Sequence, residues 1–503
     1  MPSNRLSEAA SAANRFGLGA RPGTLDALGD PRAALAKEVR AFDSDDGAFA
    51  GLPSSAQYLR DEIAFQQDKQ ARKRALEATN AASQGVGKDG KPAKPLGDGF
   101  MQVFGDRLQA EAHARWKLAL NAPVGFRERI VAFWSNHFAV SVDKRPAALF
   151  AAPMEREVIR PLAFGRFEDL LIGVETHPAM LRYLDNVASI GPDSTVGERA
   201  AHGAYAQRKN KLGLNENLAR EIMELHTLGV NGGYTQADVI ELAKAITGWS
   251  LRRPQDDKPA QRPFRGRFGG GPMEPLLQPS PITGFVFRPN AHEPGPRTVL
   301  GKHYPSGGME QGRRILSDLA VHPATANHLA LQLARHFVSD SPPPALLKRM
   351  VNAYLEREGD LNAFYLTLLD SPEAWSPDAR KFRTPRDFIV ASLRAVGAQD
   401  LQDVRRVNGL LGRLGEADFM PRSPAGFADT ADSWIGPDAI WKRIQIAEEF
   451  AKRAPPTLDV SRLASAALGP HLRRATAQAI ARAGDPQTAL GVLLGSPDFQ
   501  WRV

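Results

Sequence analysis

Apolar residues recur three and four positions apart over most of the chain, the period of helices that bury one face. Leu25 to Arg40 predicts a first helix, and "SSAQYLRDEIAFQQDKQARKRALEATNAA" a long second one whose dense charge is that of a solvated face. Helices resume near Phe100. In "NENLAREIMELHTLGVNGGYTQADVIELAKAITGW", residues 215–249, the spacing predicts a helix from about Asn217 to Leu228, stopped at Gly229 where a left-handed residue costs glycine little. A turn, "GVNGGY", leads to a second helix that starts at Thr235, boxed by Asp238, and ends near Gly248. The period changes to two at "GFVFRPNAHEPGPRTVLG". There Phe285 and Phe287 share a face, the chain turns through Pro and Gly, and Thr298 to Leu300 return, predicting a small β-hairpin. From Met309 onward the pattern is helical again, punctuated by "SDSPPP" and "RAPP". The expected fold class is mainly α: a multi-helical globular protein with a small β-hairpin near 285–300 and long mobile loops.

Three stretches interrupt the pattern, at 83–99, 189–213 and 252–281, all rich in Gly, Pro and charge. The last two flank the helical pair at 215–249, as lids flank a cleft. The expected organisation is a helical segment over 1–82, a flexible loop over 83–99, a central helical core over 100–338 and a C-terminal helical region over 339–503. Two short echoes occur, "LLDSPEAW" with "LLGSPDFQW" and "THPAML" with "VHPATA". Each places Pro in a first helical turn behind a capping Ser or His, so capping accounts for them without a repeat architecture.

Composition narrows the chemistry. A chain of 503 residues without cysteine has no disulfides, thiolate metal sites or cysteine nucleophiles. The net charge of +8 is spread thinly and forms no concentrated stripe, so nucleic-acid binding is not expected. No window approaches the ~18 apolar residues of a membrane span, so the chain is expected to be soluble and, as it stands, cytoplasmic, with export after removal of a signal also compatible.

The helix beginning at Asn217 carries unusual polarity. At ~100° per residue, Asn217, Arg220, Glu221 and Glu224 fall on one arc and Leu218, Ile222, Leu225 and His226 on another. The two glutamates are then neighbours and His226 is not, which fits neither a Glu-x-x-His di-iron motif nor H-E-x-x-H. A carboxylate pair beside an arginine is an acid/base arrangement if buried, because like charges raise one pKa, and a solvated face if exposed. His137 shares a helix face with Phe126, Ile130, Phe133 and Trp134, and His336 shares one with Leu329 and Leu333. Each reads as a core histidine or as part of a polar pocket. His292 stands beside Glu293 in a Pro/Gly-rich turn.

These segments, with "NRFGLGARPG", "FWSNHFAVS", "HEPGPRTVLG", "HPATANHLALQLARHFVSDSPPP" and "LLGSPDFQWR", resemble the bacterial family catalogued as domain of unknown function 1800, in order and over nearly the whole chain. The resemblance implies a largely helical protein and an envelope-related, phosphatase/sulfatase-like partner encoded nearby. It carries over Trp134, Asn136, His137, Asn215, Asn217, Arg220, Glu221, Glu224, His226, His292, Arg335 and His336. Glu293 and Arg297 stand where the family pattern has Asp and Lys.

Two readings follow. In the first, His137, Glu221, Glu224 and His292 converge in the pocket of an enzyme performing hydrolysis or group transfer on an anionic or polyhydroxyl substrate. Catalysis would fall to Glu221, Glu224 and His137, and substrate binding to Trp134, Asn136, Asn217, Arg220 and Arg335. His292, His226 and His336 would offer imidazole ligands to a divalent hard or borderline metal ion. In the second, the protein is a non-catalytic accessory or scaffold for its partner, and the same polar residues lock helix packing.

Overall fold

A computed structural model describes residues 2–41, 47–83, 99–202, 213–253 and 280–503. The fold is mainly α, as expected, with only two-stranded sheets among the described residues. Most of the three predicted loops, at 84–98, 203–212 and 254–279, lies outside them; within the second, Thr195–His202 is helical.

Local signals set most boundaries. Thr235 and Asp238 form the predicted capping box ahead of the helix Gln236–Ala245. His177 and His322 cap their helices by accepting from Ala179 and Ala324, with Pro at the first position of each. Gly229 and Gly248 both take positive φ, 85° and 80°. The first predicted helix is broken into Thr24–Ala27 and Pro31–Arg40, because Pro31 has no N–H to continue it and Asp30 caps a new start.

Two strands lie about where period two placed them, but each pairs with a strand the sequence did not predict. Phe285–Phe287 runs antiparallel to Trp249–Leu251, and Arg297–Val299 to Lys302–Tyr304. Leu300 and Gly301, with φ of 50° and 75°, make a two-residue turn that matches strand twist. Two positive-φ residues close a hairpin locally, whereas pairing 285–287 with 297–299 would have to carry three prolines across the connection.

Two apolar cores organise the packing. The larger runs from Ala12 to Ala379 and takes in the helices Pro344–Glu356 and Leu361–Asp370. The smaller gathers Phe388 to Phe499 around Trp116, Ala119 and Leu120 of the helix Phe100–Asn121. The chain end returns between them: Trp501–Arg502 pairs with Lys381–Phe382.

Arginines fasten the two lobes. Arg129 Nη1 donates to both oxygens of Asp387, at 2.8 and 2.9 Å, and its Nε to the Gly17 carbonyl at 2.8 Å. Arg115 bridges Glu155 and Asp418, both at 2.8 Å, and Arg386 reaches Asp418 at 2.7 Å. Arg394, fully buried, donates to the carbonyls of Gly19, Ala119, Leu120, Ala122 and Pro123. Burial alone would raise the Asp387 pKa, but the Arg129 and Arg502 charges outweigh it and hold the carboxylate well below its usual range. Breaking a buried pair strands the surviving charge, at about 3–5 kcal/mol. Asp387→Ala should therefore lower unfolding stability by about that much, read as a fall in the urea midpoint.

A chamber of about 90 Å³ remains at this junction, and Glu416 lies on its wall. Burial pushes the Glu416 carboxyl up to about 7; the Arg386 backbone N–H opposes the shift and the Asp387 charge adds to it. A raised folded-state pKa means its favourable contribution is complete below the ordinary carboxylate range and is lost as pH rises through about 7. Glu416→Gln should match the wild type in thermal midpoint near pH 4 and exceed it progressively from pH 5 to 8.

Candidate functional site

The helix that opens at Asn217 does not keep its predicted period. Asn217–Glu221 is α-helical and Ile222–His226 is a π-turn. A π-turn aligns residues five apart rather than four, so Glu221 and His226 draw together. Burial raises the Glu221 pKa, and among the charges acting on it His226 is the strongest, opposing the rise, followed by Glu224, which adds to it. The sequence-based expectation that His226 stands away from the glutamates is corrected by this change of pitch.

The π-turn ends with open carbonyls, and histidines meet them. His328 Nε2 lies 3.0 Å from the Leu225 carbonyl and His137 Nε2 lies 3.2 Å from that of His226. Burial, reinforced by the charges of His226 and His328, drops the His137 pKa to about 3, so this ring is neutral at ordinary pH. A neutral ring has one N–H, and the carbonyl claims it. His137 Nδ1 must then accept, although it sits 2.8 Å from Gln332 Oε1. Turning the amide about, an exchange that leaves its shape unchanged, presents the required donor. Gly229 is needed here because a Cβ would lie 2.9 Å from His328 Nδ1 at a φ of 85°.

His226 is the exceptional member. It is fully buried, and its Nδ1 is 2.7 Å from Oε1 of Glu175, which is also fully buried. Its Nε2 has no hydrogen-bond partner, nor has Glu175 Oε2. A carboxylate that fixes Nδ1–H leaves Nε2 as the basic nitrogen, the relation in which an imidazole serves as a general base. Glu221 and Glu224 lie at the half-buried edge of the cluster, with the Tyr234 hydroxyl donating to Glu224 at 3.3 Å and Tyr183 under the field of Glu221.

The other predicted residues disperse. Asn217 is exposed, and Arg220 joins the two helices at the surface through Glu216 and Gln236, at 3.1 and 2.8 Å. Trp134 donates to the Tyr365 hydroxyl at 2.6 Å deep in the core. Asn136 clamps the Phe427 backbone through both ends of its amide, at 2.9 and 2.8 Å. Arg335 reaches the Asp340 carbonyl.

The three proposed metal-binding histidines have different surroundings. His226 pairs with Glu175, His292 packs on Phe287 with Nδ1 3.0 Å from the Thr247 carbonyl, and His336 faces Asp429 at 3.4 Å. Among the described residues no group of three or more His, Asp or Glu side chains is arranged to hold a metal ion. His292 and Glu293 tie this turn to other segments: the Glu293 N–H donates to the Thr247 hydroxyl at 2.8 Å and Glu293 Oε2 accepts from the Asp193 N–H at 2.9 Å. Sequence reasoning missed Glu175, His328, Gln332 and Tyr234, because Glu175 comes from the helix Phe167–Glu175, His328 and Gln332 from the helix Pro323–Phe337 and Tyr234 from the turn, and none stands in a recognisable spacing with His226.

Fold and cluster thus define a helical protein with a buried carboxylate–imidazole centre on a π-turn. The family described as "Protein of unknown function (DUF1800)" matches residues 11–501, and the chain belongs to it. No curated protein and no solved structure matches it.

His226→Ala would strand the buried Glu175 carboxylate, so it should cost about 3–5 kcal/mol in urea denaturation. In a double-mutant cycle with Glu175→Gln, part of that loss should be shared between the two positions.

Proposed function

We propose that the protein is an enzyme whose proton-transfer centre is the Glu175–His226 pair with Glu221 at its outer edge, performing hydrolysis or group transfer. The observation that carries this reading is the unpartnered Nε2 of a histidine whose other nitrogen is held by a buried carboxylate. Glu221, whose carboxyl burial raises above its ordinary range, supplies a group better able to donate a proton than an exposed carboxylate. The edge presents Glu221, Glu224 and two tyrosines, groups that suit a hydroxyl-rich substrate and repel an anion. Between the two substrate classes that the sequence suggested, the polyhydroxyl one is therefore favoured.

Full burial of His226 favours a second reading, an accessory protein for a phosphatase/sulfatase-like partner. In support, Trp441 is 60% exposed on the helix Pro437–Ala451, three residues before Ile444, which lines a groove in the C-terminal lobe, and contiguous exposed apolar surface marks protein contacts. A panel of glycosides, sugar esters and sugar phosphates separates the two. Turnover by the wild type, with kcat reduced about 100-fold or more in Glu221→Gln and the fold unchanged, supports the enzyme. Absence of turnover, together with a co-purifying phosphatase/sulfatase-like protein that Trp441→Ser releases, supports the accessory protein.

A further inference from the structure

The chamber between the lobes is built from charge, and its pairings do not close. Arg129 uses Nε on Gly17 and Nη1 on Asp387, and Arg160 uses both terminal nitrogens on Glu128 at 2.7 Å. Arg129 Nη2 and Arg160 Nε have no partner, although these residues are only 1% and 4% exposed and both line the chamber. A buried donor left unpaired costs about 1–3 kcal/mol, more when charged, so such vacancies ask for an acceptor.

Most carboxylates on the walls are held by cations: Glu128 by Arg160, Glu155 by Arg115, Asp418 by Arg115 and Arg386, and Asp387 by Arg129 with Arg502 behind it. Asp429 faces His336 at 3.4 Å and Lys381 at 4.0 Å, and Glu416, its carboxyl pushed up to about 7, accepts from the Arg386 backbone N–H at 2.7 Å. The spare hydrogen-bonding capacity on Arg129 and Arg160 consists of donors. Ala132, Ser135, Asn136 and Ala417 are only half-buried and mark the open side.

We propose that this chamber binds a small oxyanion, a phosphate-, sulfate- or carboxylate-type group, through Arg129 Nη2 and Arg160 Nε. A volume of about 90 Å³ admits such a group and excludes a sugar or nucleotide body. The site is distinct from the Glu175–His226 cluster, and its occupation would join the two lobes, since Arg129 already holds Asp387 across the junction.

Isothermal titration of the purified full chain with sodium phosphate, sulfate or acetate, at constant ionic strength set with chloride, tests the proposal. Saturable binding of at least one oxyanion is expected, and which of them binds tells a tetrahedral from a carboxylate group. Ala132→Leu, which fills the chamber from its half-exposed wall, should weaken binding at least ten-fold with an unchanged circular dichroism spectrum. Ala417→Leu, from the opposite lobe, should do the same. Absence of saturable binding would mean that water satisfies the two arginines. Undiminished binding in both folded variants would place the ion elsewhere. Either result overturns the proposal.

Discussion

The Arg129–Asp387 pair is the constraint on which the arrangement of the protein depends. Two cores, each large enough to bury its own apolar residues, meet at a surface lined with ionised groups. Apolar packing between lobes is non-directional, whereas a guanidinium donating to both oxygens of one carboxylate fixes a distance and an angle. Arg502 approaches the same carboxylate, so the chain end is registered by it as well. The N-terminal π-turn Ala12–Phe16 adds to this lock. Arg15 donates to the Ala374, Ser376 and Ala379 carbonyls, and Asn14 receives the Arg383 guanidinium at 2.8 Å. Residues from the first twenty and the last hundred and thirty positions therefore share one polar seam.

The same economy governs the histidine cluster. A π-turn leaves carbonyls pointing away from the helix axis, and His137 and His328 answer that need for hydrogen bonds. Burial and the charge of His226 lower the pKa of both, and His328 adds to the lowering at His137. His226 escapes this role because its Nδ1 is taken by Glu175 and no carbonyl faces its Nε2. The chemistry proposed for the cluster rests on that asymmetry between three otherwise similar rings.

Legibility followed the range of the interaction. The cap at Thr235, the left-handed glycine at 229 and the Pro-led helix starts behind His177 and His322 all proved as the sequence reads, because each depends on atoms within four residues. The β segments were visible by their period, but their partners were not, since a strand of three residues carries too little pattern to choose among neighbours. Glu221, Glu224, His137 and His226 were found as polar residues on one amphipathic segment and next to an aromatic face. Their relation was misjudged because 100° spacing presumes an α-helix, and the π-turn that changes it has no sequence signature of its own.

By itself the sequence determined a mainly helical fold, most of its helix ends and its family, since these arise from local backbone chemistry and from ordered motifs along one chain. Only the tertiary structure decided which polar groups meet. It brought Glu175 to His226 across 51 positions and Asp387 to Arg129 across 258, and it left Nε2 of one buried imidazole and Nη2 of one buried guanidinium without partners. Pairing over such separations is fixed by how helices pack, and no spacing rule within a helix records it.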